Sequence, residues 1–403
     1  MIIYLKQMLR TATVIVFLAG GVTSCIKEED TGADLNLPTR TVLVYLAGDN
    51  NLADLARIPE LLRQGWKYTG SRCLVYYDGQ NSTPVLLSLR GGCESYPISF
   101  IETVAEYPEE NSASADVFSR VVRDVAAMYP ADSYGLIFTS HASGWLPEGM
   151  LAAPQRDTRS IGSDVSSGTL AQGNAEMELA DFADAIPDGH FDFIIFEACL
   201  MAGVEVAYEL RNKTDYVLAS SAELLAPGFI PVYSRMSPKL FDTSISVESS
   251  LKEFASEYFD YINTRSGVYR STTLSIIRTE ELEALAALVT ETYPEADSIE
   301  SSDISGLQHF DRPGSYGDAS ALPRYFDLGD YMQSVSTRVL YDRFEKLMDR
   351  IVVWKAATPM FMENYNGFKI ICHSGLTIYI PQTKLPFLNE AYRKTAWGKR
   401  LQM

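Results

Sequence analysis

The chain has 403 residues, 46% of them hydrophobic, enough to build a substantial core in one large or two ordinary domains. Its 52 acidic side chains outnumber 34 basic ones, giving a net charge of -18. That balance repels nucleic acid and anionic lipid, which argues against a nucleic-acid partner; it describes a solvated surface that attracts cationic substrates if it attracts anything.

In chain order, Lys6 and Arg10 supply a positive flank, and residues 11–21 form a short apolar run ending in small residues. This is the pattern of a secretion signal, and the run is too short for a membrane span. Val22-Thr23-Ser24-Cys25 resembles a lipobox, which implies cleavage before Cys25 and acylation of that cysteine. Residues 1–24 are then a lipoprotein signal peptide and residues 25–40 a lipidated tether, polar and carrying Gly32 and Pro38. The tract Ile26-Lys27-Glu28-Glu29-Asp30 is similar to the acidic surface-export signals of some Gram-negative lipoproteins, and a charged tether accounts for it equally well. The expected location is the cell envelope, held to the membrane by lipid, with the outer-membrane surface as one candidate face.

From residue 41 onward, short continuous apolar runs alternate with helical patterns. Residues 41–46, 73–77, 134–140, 191–196 and 216–220 read as buried strands, because they are apolar on both faces instead of alternating. Residues 52–64, 116–128 and 177–186 between them read as helices; in the second, Val117, Val121, Val125 and Met128 share one face. Strand and helix in alternation predict an α/β fold with a mostly parallel sheet covered on both sides. Residues 146–175, rich in Gly, Ser, Pro, Arg and Asp, carry no period, and so long an irregular stretch inside a domain points to function. Beyond residue 238 helices dominate, at 249–263, 279–293, 327–333 and 339–354, with strands at 271–277 and 376–380 and a loop at 301–323. This divides the chain into a core at 41–238 and a helical, mixed region at 239–403 that completes it.

Cysteines 73, 93, 199 and 372 include no CxxC pair or zinc spacing. Cys73 and Cys93 could bridge in an oxidising compartment, but Cys73 lies in an apolar strand, where a buried free thiol is the better reading. Of four histidines, His141 stands out: it follows the strand at 134–140 and opens His141-Ala142-Ser143-Gly144-Trp145. Cys199 stands at the corresponding place after the strand at 191–196, just before the helical residues 202–210. Carboxyl ends of parallel strands are where α/β sheets handle ligands, and a thiol becomes a nucleophile when an imidazole or a helix N-terminus favours its thiolate. Either residue alone reads as well as a packed core or loop side chain; together they form a candidate dyad. His190 follows Asp188-Gly189 as a turn residue, and neither it nor His373 has a metal-ligand partner at the right spacing, so no metal site is expected.

The segments Ser140 to Trp145 and Phe196-Glu197-Ala198-Cys199-Leu200-Met201 resemble the H-G-x-G-W and D-A-C-L-M signatures of clostripain-like cysteine peptidases. Residues 41–50, 159–162, 216–233, 271–275 and 375–381 extend the likeness over nearly all the chain after the tether. The resemblance implies a caspase-like fold and an endopeptidase acting on proteins or peptides. It implies Cys199 as nucleophile, His141 as proton donor to the leaving amine, and an oxyanion held by the backbone N–H groups of Cys199 and Ala142. It also implies preference for Arg or Lys at P1, with Glu197 where the family carries Asp, and Glu223 as a second candidate for the substrate pocket. Activation by self-cleavage between His and Cys would use Arg156 or Arg159. No cofactor is required, although structural calcium supports some relatives. Ala142 and Glu197 depart from the family pattern. The alternative they raise is a surface lipoprotein whose caspase-like scaffold has drifted into a binding module; a relative with another P1 preference, or a transpeptidase, is the enzymatic alternative.

Overall fold

A computed structural model of the chain describes residues 39–48, 53–79, 82–147, 177–292, 303–312 and 322–402. The signal, the lipidation candidate Cys25 and the cleavage candidates Arg156 and Arg159 lie outside the described residues. The strands β1 (Arg40–Gly48), β2 (Arg72–Gly79), β3 (Val85–Arg90), β4 (Phe100–Glu106), β5 (Ser133–Thr139), β6 (Phe191–Glu197), β7 (Thr214–Ala219), β8 (Thr273–Arg278), β9 (Phe326–Asp327) and β10 (Val352–Ala357) come in that chain order. All except β9 join one nine-stranded sheet in the order β10-β8-β7-β6-β5-β1-β2-β3-β4. Its five central strands, β7 to β2, run parallel, and antiparallel pairs extend it at each margin.

The central strands are the apolar runs predicted from sequence, and helices cover both faces as that apolarity requires. On one face lie α1 (Ile58–Gly65), α5 (Ile230–Phe241) and α6 (Val247–Asn263). On the other lie α2 (Ala115–Met128), α3 (Leu179–Asp184), α4 (Val204–Glu209), α7 (Leu282–Thr290), α8 (Leu328–Val335) and α9 (Arg338–Ile351). Local chemistry sets several starts: Ser114, Ser246 and Thr337 each accept a backbone N–H three residues on, the N-cap bond that satisfies an otherwise orphaned donor. Under β5, Phe138 stacks on Tyr45 at 5.5 Å and meets Phe118 and Phe182 edge-on at 5.8 and 5.2 Å. Those rings fix the strand that leads to His141.

Several expectations need correction. Residues 85–106 hold two antiparallel strands that the sequence pattern did not reveal, because β4 is a largely exposed edge strand without a continuous apolar run. The helix expected at 52–64 is a 3-10 turn at Ala53–Arg57 followed by α1, with Pro59 in the first turn, where its missing N–H costs nothing. Met128 ends the apolar stripe of α2 exposed. The helix expected to reach 354 stops at Ile351, and the next residues pair with β8 in the sheet. The strand expected at 376–380 is the two-residue β13, which follows the small hairpin β11 (Met360–Phe361) and β12 (Phe368–Lys369); β13 (Thr377–Ile378) pairs with β9 outside the main sheet. The division drawn after residue 238 falls inside α5, and the sheet continues across it through β8 and β10. Helices α10 (Pro386–Lys394) and α11 (Ala396–Arg400) end the chain, α11 packing Trp397 against Tyr208 of α4.

Candidate active site

Strands β5 and β6 pair in parallel with Thr139 opposite Glu197. His141 and Cys199 each stand two residues beyond that matched pair. Parallel neighbours lie about 4.8 Å apart and side chains repeat every second residue, so an equal offset brings both chains' next same-face residues to one edge. The two loops touch directly. Gly144 has φ 63, and a Cβ there would lie 2.5 Å from the backbone oxygen of Leu200. Tyr325 anchors the same loop by donating its hydroxyl to the carbonyl of Ser143.

The left-handed backbone next to the site falls on Gly144 and on Leu200, φ 62, and not on Ala142. Alanine at the family's glycine position is therefore free of the conformational cost that a positive φ would impose. A leucine held left-handed immediately after Cys199 is strained by about 1 kcal/mol, offset by its N–H donating to the carbonyl of Ala222 at 3.0 Å. Ala202 makes the matching bond to Ser220 at 2.9 Å, so the segment after β7 lines the cysteine loop.

Cys199 is half-buried and His141 likewise. The sulfur sits against Leu224: it accepts the Leu224 N–H at 3.4 Å and faces the Leu224 carbonyl at 3.8 Å. Burial first and Glu223 second push the thiol up, the Leu224 N–H and Arg312 oppose the rise, and the balance lies at about 12. Desolvation in this conformation therefore disfavours the thiolate. Glu223 is clamped by Arg312, whose Nε meets one carboxylate oxygen and whose second amino group meets the other at 2.8 Å. Both side chains are mostly buried, at 15% and 10% exposure, so this is not a solvent-screened surface pair.

Glu197 is placed differently from the P1 contact expected of it. Its carboxylate turns into the protein, accepting from the Phe229 N–H at 2.5 Å, the Tyr233 hydroxyl at 2.6 Å and the Thr139 hydroxyl at 2.9 Å. Gly228, left-handed at φ 61, gives up its side chain to let that carboxylate in. Burial still outweighs these donors and raises the carboxyl to about 7. The extra methylene relative to Asp reaches a pre-built nest of donors, and the acid that acts on the thiol is Glu223.

Sequence reasoning missed Arg312, Tyr325, Tyr233 and His373. Arg312, Tyr325 and His373 come from segments distant in the chain without a local motif, and Tyr233, although it ends the family-like segment 216–233, gave no local sign of its bond to Glu197. Half-buried His373 sits 3.3 Å from the Ser221 hydroxyl and 3.5 Å from Ser275, and desolvation drives its imidazole down to about 3, which favours the neutral ring. His190 does occupy a turn, its N–H bonding to Pro187 and its ring stacking on Tyr134. Cys73 is a buried free thiol, and Cys93, Cys199 and Cys372 are also free. Among the described residues no group of three or more His, Cys, Asp or Glu is placed to hold a metal ion, and no helix is long and apolar enough to cross a membrane.

A mixed sheet with a thiol and an imidazole after adjacent parallel strands defines the class as caspase-like cysteine peptidases. The chain belongs to the clostripain family, Peptidase_C11, whose model matches residues 44–385. It is 29% identical over 136 residues to the clostripain of Hathewaya histolytica, covering 32% of this chain and 25% of that protein, so the match spans about a quarter of the curated relative's length. The inactive zymogen of a C11 protease from Parabacteroides distasonis superposes with TM-score 0.71 at 29% identity, covering 90% of this chain and 97% of that one. A secreted C11 cysteine protease from Bacteroides thetaiotaomicron, solved with an irreversible peptide inhibitor, gives 0.73 at 27% identity, covering 90% and 98%.

Two predictions follow from this packing. Gly144→Ala should lower stability by about 1–3 kcal/mol, since it combines a strained φ with a backbone collision; an unchanged thermal midpoint would refute the close approach. Glu197 binds more protons in the folded state between its ordinary 4.5 and about 7. Stability conferred by its neutral form is therefore complete at low pH and declines as pH rises through that window. Glu197→Gln mimics the protonated form: its amide oxygen accepts from Phe229, and the Tyr233 and Thr139 hydroxyls reverse to accept its N–H. Between pH 5 and 8 the variant should lose about 1–3 kcal/mol less stability than the parent, measured by denaturant titration. Equal losses would show that Glu197 titrates normally.

Proposed function

We propose that the protein is a secreted, lipid-anchored cysteine endopeptidase in which Cys199 and His141 form the dyad and cleavage follows Arg or Lys. The observation that carries this is the matched register of β5 and β6, which sets the two residues at equal offsets past Thr139 and Glu197. In the reaction His141 removes the thiol proton as sulfur attacks the scissile carbonyl. The backbone N–H groups of Ala142 and Cys199 receive the oxyanion, and collapse expels the amine with the proton His141 holds. Water then hydrolyses the thioester and regenerates the thiol. The raised thiol pKa makes the imidazole's role acute, because little thiolate exists without a base.

Preference for a basic P1 residue is supported by Glu223, whose neighbour Leu224 touches the sulfur and whose carboxylate already holds a guanidinium. Release of the single chain by self-cleavage at Arg156 or Arg159 is supported by the irregular composition of residues 146–175 and by the zymogen state of the Parabacteroides relative. Secretion is supported by the signal-like N-terminus and by the secreted Bacteroides relative, and acylation at Cys25 by the lipobox-like residues that precede it. Structural calcium stays an open ligand of this reading, tested by melting with and without a chelator.

Fluorogenic peptides with P1 Arg, Lys, Asn, Asp and Ala test the activity. Cys199→Ala and His141→Ala should each lower kcat/KM for the preferred peptide by at least about 10³-fold. The parent alone should be labelled at Cys199 by a thiol-directed peptide electrophile and be cut between His141 and Cys199, a cut lost in Cys199→Ala. No turnover and no labelling would instead favour a binding module on this scaffold. In cells, radiolabelled palmitate should enter the parent but not Cys25→Ser; equal incorporation would sink the lipid anchor.

A further inference from the structure

We infer that Arg312 is an internal occupant of the basic-residue site, bound to Glu223 as a substrate arginine would be and displaced from it when substrate enters. This rests on the reading that cleavage follows Arg or Lys. Bidentate contact between a guanidinium and a carboxylate is the geometry by which an acid recognises an arginine side chain, and Arg312 supplies it from within the chain. The acid lies beside the chemistry, because Leu224, the next residue, meets the Cys199 sulfur through both its N–H and its carbonyl. Glu197, at the end of β6, is taken by three protein donors. Glu223, whose next residue contacts the sulfur, is the acid this reading assigns to a substrate cation, and Arg312 holds it.

The backbone that presents Arg312 is anchored independently of this ion pair. Both oxygens of buried Asp311 accept backbone N–H groups, from Arg324 and Tyr325, each at 3.0 Å. Phe310 N–H donates to the Tyr325 carbonyl at 2.9 Å, and His309 bridges Phe326. Tyr325 in turn holds the His141 loop through Ser143. Releasing the Arg312 side chain therefore costs the ion pair and leaves its backbone anchors in place. An incoming arginine replaces one guanidinium by another, so the charge beside the thiol, where Glu223 and Arg312 act in opposition, is preserved. A neutral P1 side chain cannot make that exchange. An occupant of this kind lowers apparent affinity by the fraction of molecules in which the site is filled.

The test measures kcat/KM for matched P1 Arg and P1 Ala peptides on the full-length parent, Arg312→Gln and Arg312→Lys. Arg312→Gln should raise the Arg-to-Ala ratio by about tenfold, chiefly through a lower KM for the Arg peptide, and Arg312→Lys should fall between it and the parent because it makes one contact where arginine makes two. Glu223→Gln, which retains the side chain's size, should lower the same ratio by at least about tenfold. Parent activity after Arg with an unchanged ratio in Arg312→Gln, or equal losses on both peptides, would overturn the occupant role while leaving the peptidase reading intact. Efficient cleavage of other P1 residues with none after Arg or Lys in any form would overturn the basic preference itself, and the occupant role with it. Should Arg312→Gln melt markedly lower, Arg312→Lys and Glu223→Gln still decide the matter.

Discussion

Thr139 and Glu197 face each other at the ends of two parallel strands, and Thr139 donates its hydroxyl to the Glu197 carboxylate across the gap. A slip of one residue in that pairing would turn every side chain of β6 to the other face and carry Cys199 away from the edge where His141 emerges. The pairing is over-determined. Apolar runs on both strands require burial on both sides, the Phe138 cluster fills the space beneath β5, and Glu197 is caught by Phe229 and Tyr233 from the opposite layer. A carboxylate buried at a strand end is costly unless it finds donors, so Glu197 also ties the sheet to the turn before α5.

Around this frame the site is built from loops that hold one another. Gly144 admits the backbone of Leu200, Leu200 and Ala202 bond the segment after β7, and Tyr325 reaches in from the last third of the chain to hold Ser143. The same last third supplies β8 and β10 to the sheet and Arg312 to the surroundings of the thiol. Residues on either side of position 238 therefore complete one another's sheet and one another's site. The thiol at the centre lies against Leu224 and beside the buried Glu223–Arg312 ion pair, in surroundings that disfavour its thiolate.

Helices and parallel strands were legible in the sequence because their causes are local. Continuous Val, Ile, Leu and Phe runs need cover on both faces, and the spacing of Val117, Val121 and Val125 marks a buried helix face. Legibility failed where the local pattern is weak or the cause is distant. The edge strand at Phe100–Glu106 is largely exposed and has no continuous apolar run, and Val352 to Trp354 leave their helix because β8, far earlier in the chain, offers an edge to pair with.

The site divides along the same line. The sequence by itself determined that a histidine and a cysteine stand after two buried strands within family-like motifs, because both features are written in consecutive residues. Only the tertiary structure decided what surrounds them. It brought Tyr325 and Arg312 from more than a hundred residues away, turned Glu197 inward to three donors, and left Glu223 as the acid beside the thiol. The reason is physical: a strand end or a helix cap is settled by its immediate neighbours, whereas the partner of a buried charge is whichever group the completed packing leaves within reach.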